Sequence, residues 1–184
     1  GIIEMASLLR LSDHDMSPER GFLCSYNAAD VTLPAELAAP EEAARELPRT
    51  LLTGRVRTYL EALPVLDLKG FCAGASEAEL RMAMVRYSFM VQAYVWGEAE
   101  APTVLPAPLA VPIWALAKRL GQQPLLPYSA YVLDNWDRLD RSAPIALDNI
   151  WMIQNFLSGQ DEAWFVLVHV AIEARAGGML AQIP

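Results

Sequence analysis

Histidine is scarce in this chain: 184 residues hold two, His14 and His169. A histidine-rich metal site is therefore excluded within it, and no H-E-x-x-H pattern occurs. Cysteine is equally scarce. Cys24 and Cys72 make neither a disulfide framework nor a metal-ligand pair, so a reducing compartment, the cytoplasm, is expected. Positive charge is short, with 14 Lys and Arg against 22 Asp and Glu and a formal net charge of -8. That balance argues against nucleic acid or an anionic membrane as the main partner. There is no signal peptide, and no uninterrupted apolar run approaches the ~18 residues of a membrane span, so no membrane partner is expected. The Walker A loop, G-x-G-x-x-G, C-x-x-C and G-x-S-x-G are all missing, as are internal repeats.

Apolar side chains are abundant, at 54% of the residues. Such a share implies extensive burial, a cofactor cavity, or a face that meets more protein. The length suits one domain, or one domain plus a fragment. The chain opens on Gly1 and closes on Pro184 directly after a helical stretch, so a processed or partial polypeptide is expected.

The pattern reads as mostly α. Residues 1–35 form an irregular arm with one helical turn, and His14, flanked by Asp13 and Asp15, belongs to a solvated turn rather than a metal site. Pro40-Glu41-Glu42 opens a helix that ends near Leu47-Pro48. A second runs from Pro48 to Leu63 with Leu51, Leu52, Val56, Tyr59 and Leu60 on one side, weakened at Gly54 and stopped by Pro64. The clearest helix spans Ser76 to Trp96. Ser76 and Glu79 make its capping box, Gly97 its end, and Leu80, Met84, Tyr87, Val91 and Tyr94 its core stripe, leaving Arg81 and Arg86 in need of solvent or a partner. A proline-punctuated segment at 105–112 precedes a short helix from Ile113 to Leu120. Residues 131–137 and 150–157 pair as a possible short β-hairpin.

The stretch from Ser158 to Leu180 reads as one helix, capped by Ser158 and Asp161 and stopped by Gly177-Gly178. It is apolar nearly all round and so is expected to be buried. Phe165, His169, Ile172 and Glu173 share a face. The plain reading of His169 is a satisfied core histidine, bonded to Glu173 or a carbonyl. The sharper reading is an imidazole facing a cavity.

Several phrases in fixed order and spacing choose between them. ERGFL near residue 20, AYVWG at 93–97, LPAPLAVP at 105–112, PLLPYSAYVLDNW at 124–136 and WFVLVHVAIEA at 164–174 together resemble the indoleamine 2,3-dioxygenase family. The resemblance implies a small helical N-terminal domain at 1–157, then at 158–184 the first helix of a larger all-α haem-binding domain whose remainder lies outside the chain. It implies haem b iron as cofactor, completed by residues outside this chain, with tryptophan or a related indole and O₂ as substrates and an N-formylkynurenine-type product. By position, Tyr128, Tyr131 and Val132 fall where the family lines the indole pocket, and Phe165 and Val166 on the distal wall above the haem. His169 falls at the distal position beside the indole N–H, so Phe165 and His169 are also the residues nearest the cofactor. Many animal members have serine there, and the related tryptophan 2,3-dioxygenases have histidine. Tyr131 is bulkier than the residue usual at its position, which implies a reshaped pocket. The proximal histidine would come from a complementing C-terminal half or second chain. Two further readings stay open: mono-oxygenation of a substituted indole, and a non-catalytic helical interaction domain.

Overall fold

A computed structural model describes residues 10–182. The apolar patch near the N-terminus of the irregular arm lies outside them. The seven α-helices among the described residues are α1 (Ala38–Arg45), α2 (Leu47–Leu51), α3 (Val56–Glu61), α4 (Lys69–Gly74), α5 (Glu77–Trp96), α6 (Ala107–Leu120) and α7 (Gln160–Leu180). Between α6 and α7 stand a π-helical turn, Ser129–Leu133, and an antiparallel pair of strands, β1 (Trp136–Arg138) and β2 (Ile150–Met152). The mostly α class with a short hairpin holds.

The core is built around α5. Ser76 accepts the Glu79 N–H while the Glu79 carboxylate accepts the Ser76 N–H, so the capping box forms as the sequence predicts. Burial on α5 goes well beyond the one predicted stripe, since Met82, Ala83, Val85, Phe89 and Met90 are buried as well. Helices α1, α3 and α6 and the π-helical turn all pack against it, which surrounds α5 and removes its solvent face.

Three expectations need correction. The predicted helix from Pro48 to Leu63 is two helices, because Gly54 adopts a φ of +64° between them. As a result Leu52 and Tyr59 are exposed while Val56 and Leu60 are buried. The proline-punctuated segment is itself the start of α6. Pro108 lies in the first turn, where an N–H has no helical partner anyway, and the bond lost at Pro112 is offset by burying Leu109, Pro112, Ile113 and Leu116. The paired strands are shorter than predicted, at 136–138 and 150–152, and residues 129–133 wind into the π-helical turn instead of extending the first of them.

Helix α7 departs most. Ser158 does not cap it. Instead the Glu162 carboxylate reaches back to accept N–H bonds from Phe156, Leu157 and Ser158. Nor is α7 buried all round: only Val166, Val170, Ala174 and Gly177 are fully buried, a stripe at three- and four-residue spacing. By length and composition α7 is apolar enough to cross a membrane, although His169, Glu173 and Arg175 interrupt its apolar residues.

Gly177 and Gly178 do not stop α7, and the first of them explains why glycine is there. A Cβ on Gly177 would lie 2.5 Å from the Ser17 carbonyl oxygen, and one on Gly21 would lie 2.0 Å from that of Glu173. Gly21 also has a φ of +57°. The arm and α7 thus touch backbone to backbone. Arg20 fixes the arm at this point by donating to the Cys24 and Tyr26 carbonyls and to the Asn27 side chain.

These two glycine environments predict opposite outcomes. Gly21→Ala should lower stability by ~2 kcal/mol or more, since both its φ and its contact forbid a side chain. Gly178→Ala, with nothing within 4 Å of the new methyl, should raise it by up to ~1 kcal/mol. Thermal unfolding of the two variants beside the parent chain checks both signs.

Candidate active site

The π-helical turn and α7 pack against each other, and together they gather the aromatic residues singled out in the sequence. The His169 ring lies edge-on to Tyr128 at 6.4 Å between centroids and 4.8 Å from Phe165. Phe165 lies 6.1 Å from Tyr131, which is 5.8 Å from Phe89, and Phe89 stacks on Phe156 at 4.4 Å. Tyr128, Tyr131, Phe165 and His169 thus form a continuous row. Val132 and Val166 do not join its surface, being 1% and 0% exposed.

The row stands open. Tyr128 is 48% exposed and Phe165 54%. Farther along the same face of α7, Ile172 and Met179 are 58% and 72% exposed. An unpartnered apolar stripe of this length is the surface of something that ordinarily meets more protein or a ligand.

His169 makes one hydrogen bond, from Nδ1 to the Phe165 carbonyl oxygen at 2.6 Å. A carbonyl only accepts, so Nδ1 carries the proton, and in the neutral ring Nε2 is left as an acceptor. The carbonyl alternative of the plain reading is therefore present, but on a half-exposed ring rather than a core one. Glu173 bonds elsewhere. Its Oε1 accepts the Tyr128 O–H at 2.7 Å across 45 positions of sequence. Burial, then this bond and the Glu173 charge, push the Tyr128 hydroxyl up to about 12. Its place one turn after His169 was visible in the sequence, but its partner was not.

Buried polar side chains hold the row in place. Arg86 donates to Gln154 Oε1 at 2.6 Å, and Gln154 Nε2 donates to the Ala44 carbonyl. Asn135 accepts the Gln154 N–H and donates to the Gln154 and Tyr131 carbonyls. Burial, against the nearby Glu41 charge, lowers the Arg86 pKa to about 10. Beside it, Asp134 receives the Arg81 Nε–H at 3.0 Å and the Tyr26 O–H at 3.1 Å. Both arginines left open by the sequence have partners. An apolar cleft of about 530 Å³, bordered by Trp96, Leu126 and Phe156, opens on the far end of the row and includes Tyr131.

The family model for indoleamine 2,3-dioxygenase matches residues 10–184. This chain belongs to the indoleamine 2,3-dioxygenase family. It is 31% identical over 176 residues to mouse (Mus musculus) indoleamine 2,3-dioxygenase 1, covering 95% of this chain and 42% of that protein. It is 31% identical to human (Homo sapiens) indoleamine 2,3-dioxygenase 2 over the same shares. The indoleamine 2,3-dioxygenase of Saccharomyces cerevisiae is 34% identical, over 92% of this chain and 39% of its own length. The chain thus spans about two-fifths of the length of these relatives. Among the described residues no three His, Cys, Asp or Glu side chains are placed to hold a metal ion, and His14 sits in an exposed turn.

Two measurements test the site's construction. Gln154→Leu should destabilise the chain by ~3 kcal/mol, because it leaves the Arg86 charge buried beside an apolar group. Chemical denaturation reads that loss. In ultraviolet titration, the phenolate signal removed by Tyr128→Phe should centre near about 12 in the parent chain. In Glu173→Gln it should move down toward the ordinary tyrosine value, and an unmoved midpoint would show that Glu173 does not act on Tyr128.

Proposed function

We propose that this chain forms the substrate-facing wall of a haem-dependent dioxygenase that opens the indole C2–C3 bond of tryptophan or a related indole with O₂. The observation that carries this reading is the open row of Tyr128, Phe165 and His169 on a family member, with Nε2 of His169 free to accept. α7 is then the first helix of a larger domain, and its exposed stripe is the face that domain and its cofactor cover.

Haem is implied by the family, and the residues present fit one side of it. A flat apolar macrocycle needs an apolar wall, and Phe165 and Ile172 present one on a single helix face with His169 among them. The histidine that would hold the haem iron belongs, in this reading, to the portion of the protein outside this chain. When bound, haem supplies the activation of O₂, so that both oxygen atoms enter the indole.

This chain's contribution is orientation. Nε2 of His169 accepts the indole N–H, which fixes the rotation of the ring and thereby presents its C2–C3 edge. Phe165 lies along the indole face, and Tyr131 narrows the far side of the pocket. Tyr128, tied to Glu173, closes the near side. Apolar surroundings keep water from competing for the same hydrogen bond and strengthen it.

The test uses this chain completed by the large-domain portion that its relatives carry, with haem bound. His169→Ala should lower kcat/KM for tryptophan by about tenfold to a hundredfold, the value of one buried hydrogen bond. N1-methyltryptophan, which has no N–H to donate, should be indifferent to the change. Product mass should rise by two oxygen atoms. Equal turnover of tryptophan by parent and variant would remove the role given to His169, and a gain of one oxygen atom would point to mono-oxygenation.

A further inference from the structure

The chain holds two lysines, Lys69 and Lys118, and both line one groove. The groove lies between α4 and α6, has a volume of about 490 Å³, and shares no residue with the aromatic row. Trp114 and Arg119 border it as well. On α6, Trp114 and Lys118 are one turn apart, as are Ala115 and Arg119, so both pairs lie along the side that lines the groove. Trp114 is 63% exposed. Arg119 Nε donates to the Cys72 carbonyl at 3.0 Å, which ties α6 to α4 and sets the guanidinium. Its terminal N–H groups make no hydrogen bond among the described residues.

A place in the last turn of α6 accounts for part of this charge, because cations are favoured beside the carbonyl end of a helix. It does not account for Lys69, which comes from the other helix, or for an exposed tryptophan beside the cations. Among the ion pairs of the described residues, these three cations meet one carboxylate, that of Asp67, at 3.5 Å from Lys69. A surplus of two positive charges is left, in a chain whose net charge is -8. Nor does the groove supply its own anion. Burial holds the Cys72 thiol above its ordinary value, against the lowering charge of Arg119, so the thiol stays neutral. A long polyanion would spread its charge over the acidic remainder of the surface, whereas a small anion stays within about 8 Å of the groove, the reach of one Debye length.

We propose that the groove between α4 and α6 is a mononucleotide site, in which the base lies on Trp114 and the phosphate is taken by Lys69, Lys118 and Arg119. A phosphate monoester carries about two negative charges at neutral pH, which matches the surplus. Arg119 offers it a planar pair of N–H donors, and the lysines offer mobile point charges. A flat base covers the face of an exposed indole ring whatever its edge carries. The site therefore separates a ring joined to a phosphate from either part alone, and one base from another only weakly. It is independent of the indole-binding reading, since the groove contains none of the residues given a role there.

Calorimetry on this chain, completed by the large-domain portion that its relatives carry, reads the site with adenosine monophosphate as the probe. Adenosine lacks the charge, ribose 5-phosphate lacks the ring, and phenyl phosphate lacks the sugar and the second ring. Each should bind about tenfold or more weakly than adenosine monophosphate. Trp114→Ala should weaken adenosine monophosphate and adenosine by about tenfold and leave ribose 5-phosphate unchanged. Lys118→Gln should weaken adenosine monophosphate and ribose 5-phosphate by about tenfold and leave adenosine unchanged. Both side chains are exposed, so neither change removes core packing. Arg49→Gln, at a cation 82% exposed and outside the groove, should leave all four ligands unchanged. Absence of adenosine monophosphate binding overturns the assignment, and so does binding that both groove variants leave unchanged. Ribose 5-phosphate binding as tightly as adenosine monophosphate would reduce the groove to a phosphate site, and phenyl phosphate doing so would give it to phosphorylated aryl groups. Either result overturns the mononucleotide assignment.

Discussion

The hydrogen bonds that run from Arg86 through Gln154 to Asn135 cross the interior where three pieces of chain meet. Arg86 comes from α5, Gln154 from the segment after β2, and Asn135 from the residue before β1. Asn135 also donates to the carbonyl of Tyr131, so the network reaches the backbone of the turn that carries half of the aromatic row. Each member is buried, and a buried polar group without its partner is costly, so the arrangement tolerates little slack. These bonds hold the backbone that carries Tyr131, with Tyr128 three residues before it. The Asp134 carboxylate, held by Arg81 and Tyr26, fastens the end of the same turn to α5 and to the N-terminal arm.

The other half of the row is placed by a different kind of contact. α7 meets the arm at Gly21 and Gly177, where the two backbones approach too closely for a Cβ on either. It meets the rest of the protein through Val166, Val170 and Ala174. This seam sets the rotation of α7 about its own axis, and the rotation decides that Phe165, His169 and Ile172 point outward together. The Tyr128–Glu173 bond then spans the two halves. A wall assembled in this way is rigid on the protein side and bare on the other, which suits a chain that spans two-fifths of its relatives' length.

Much of this was legible in residues whose local chemistry leaves few choices. Ser76 and Glu79 announce the start of α5, since the capping box satisfies two N–H groups reciprocally wherever it occurs before an apolar run. Gly54 is a weak point in any helix, and its φ of +64° makes it a break. The proline segment at 105–112 joins α6 because Pro108 falls in the first turn, where its missing N–H costs nothing, and because the neighbouring side chains gain burial. Glycine at 177 has the local pattern of a helix stop, whereas its use is the close approach of the arm, which no local pattern reveals.

The sequence by itself determined the helices with strong end signals, the scarcity of metal ligands, and the spacing that puts Phe165, His169 and Glu173 on one face of one helix. These follow from short-range geometry, in which residues three and four apart are neighbours whatever surrounds them. Only the tertiary structure decided that this face is open rather than buried. It alone decided that Glu173 bonds Tyr128 instead of His169, and that the buried polar network fixes the turn bearing Tyr131. Those outcomes depend on contacts between positions 45 and 68 residues apart. Such contacts form only when whole elements pack, and hydrophobic periodicity specifies which side of an element is buried without specifying what it is buried against.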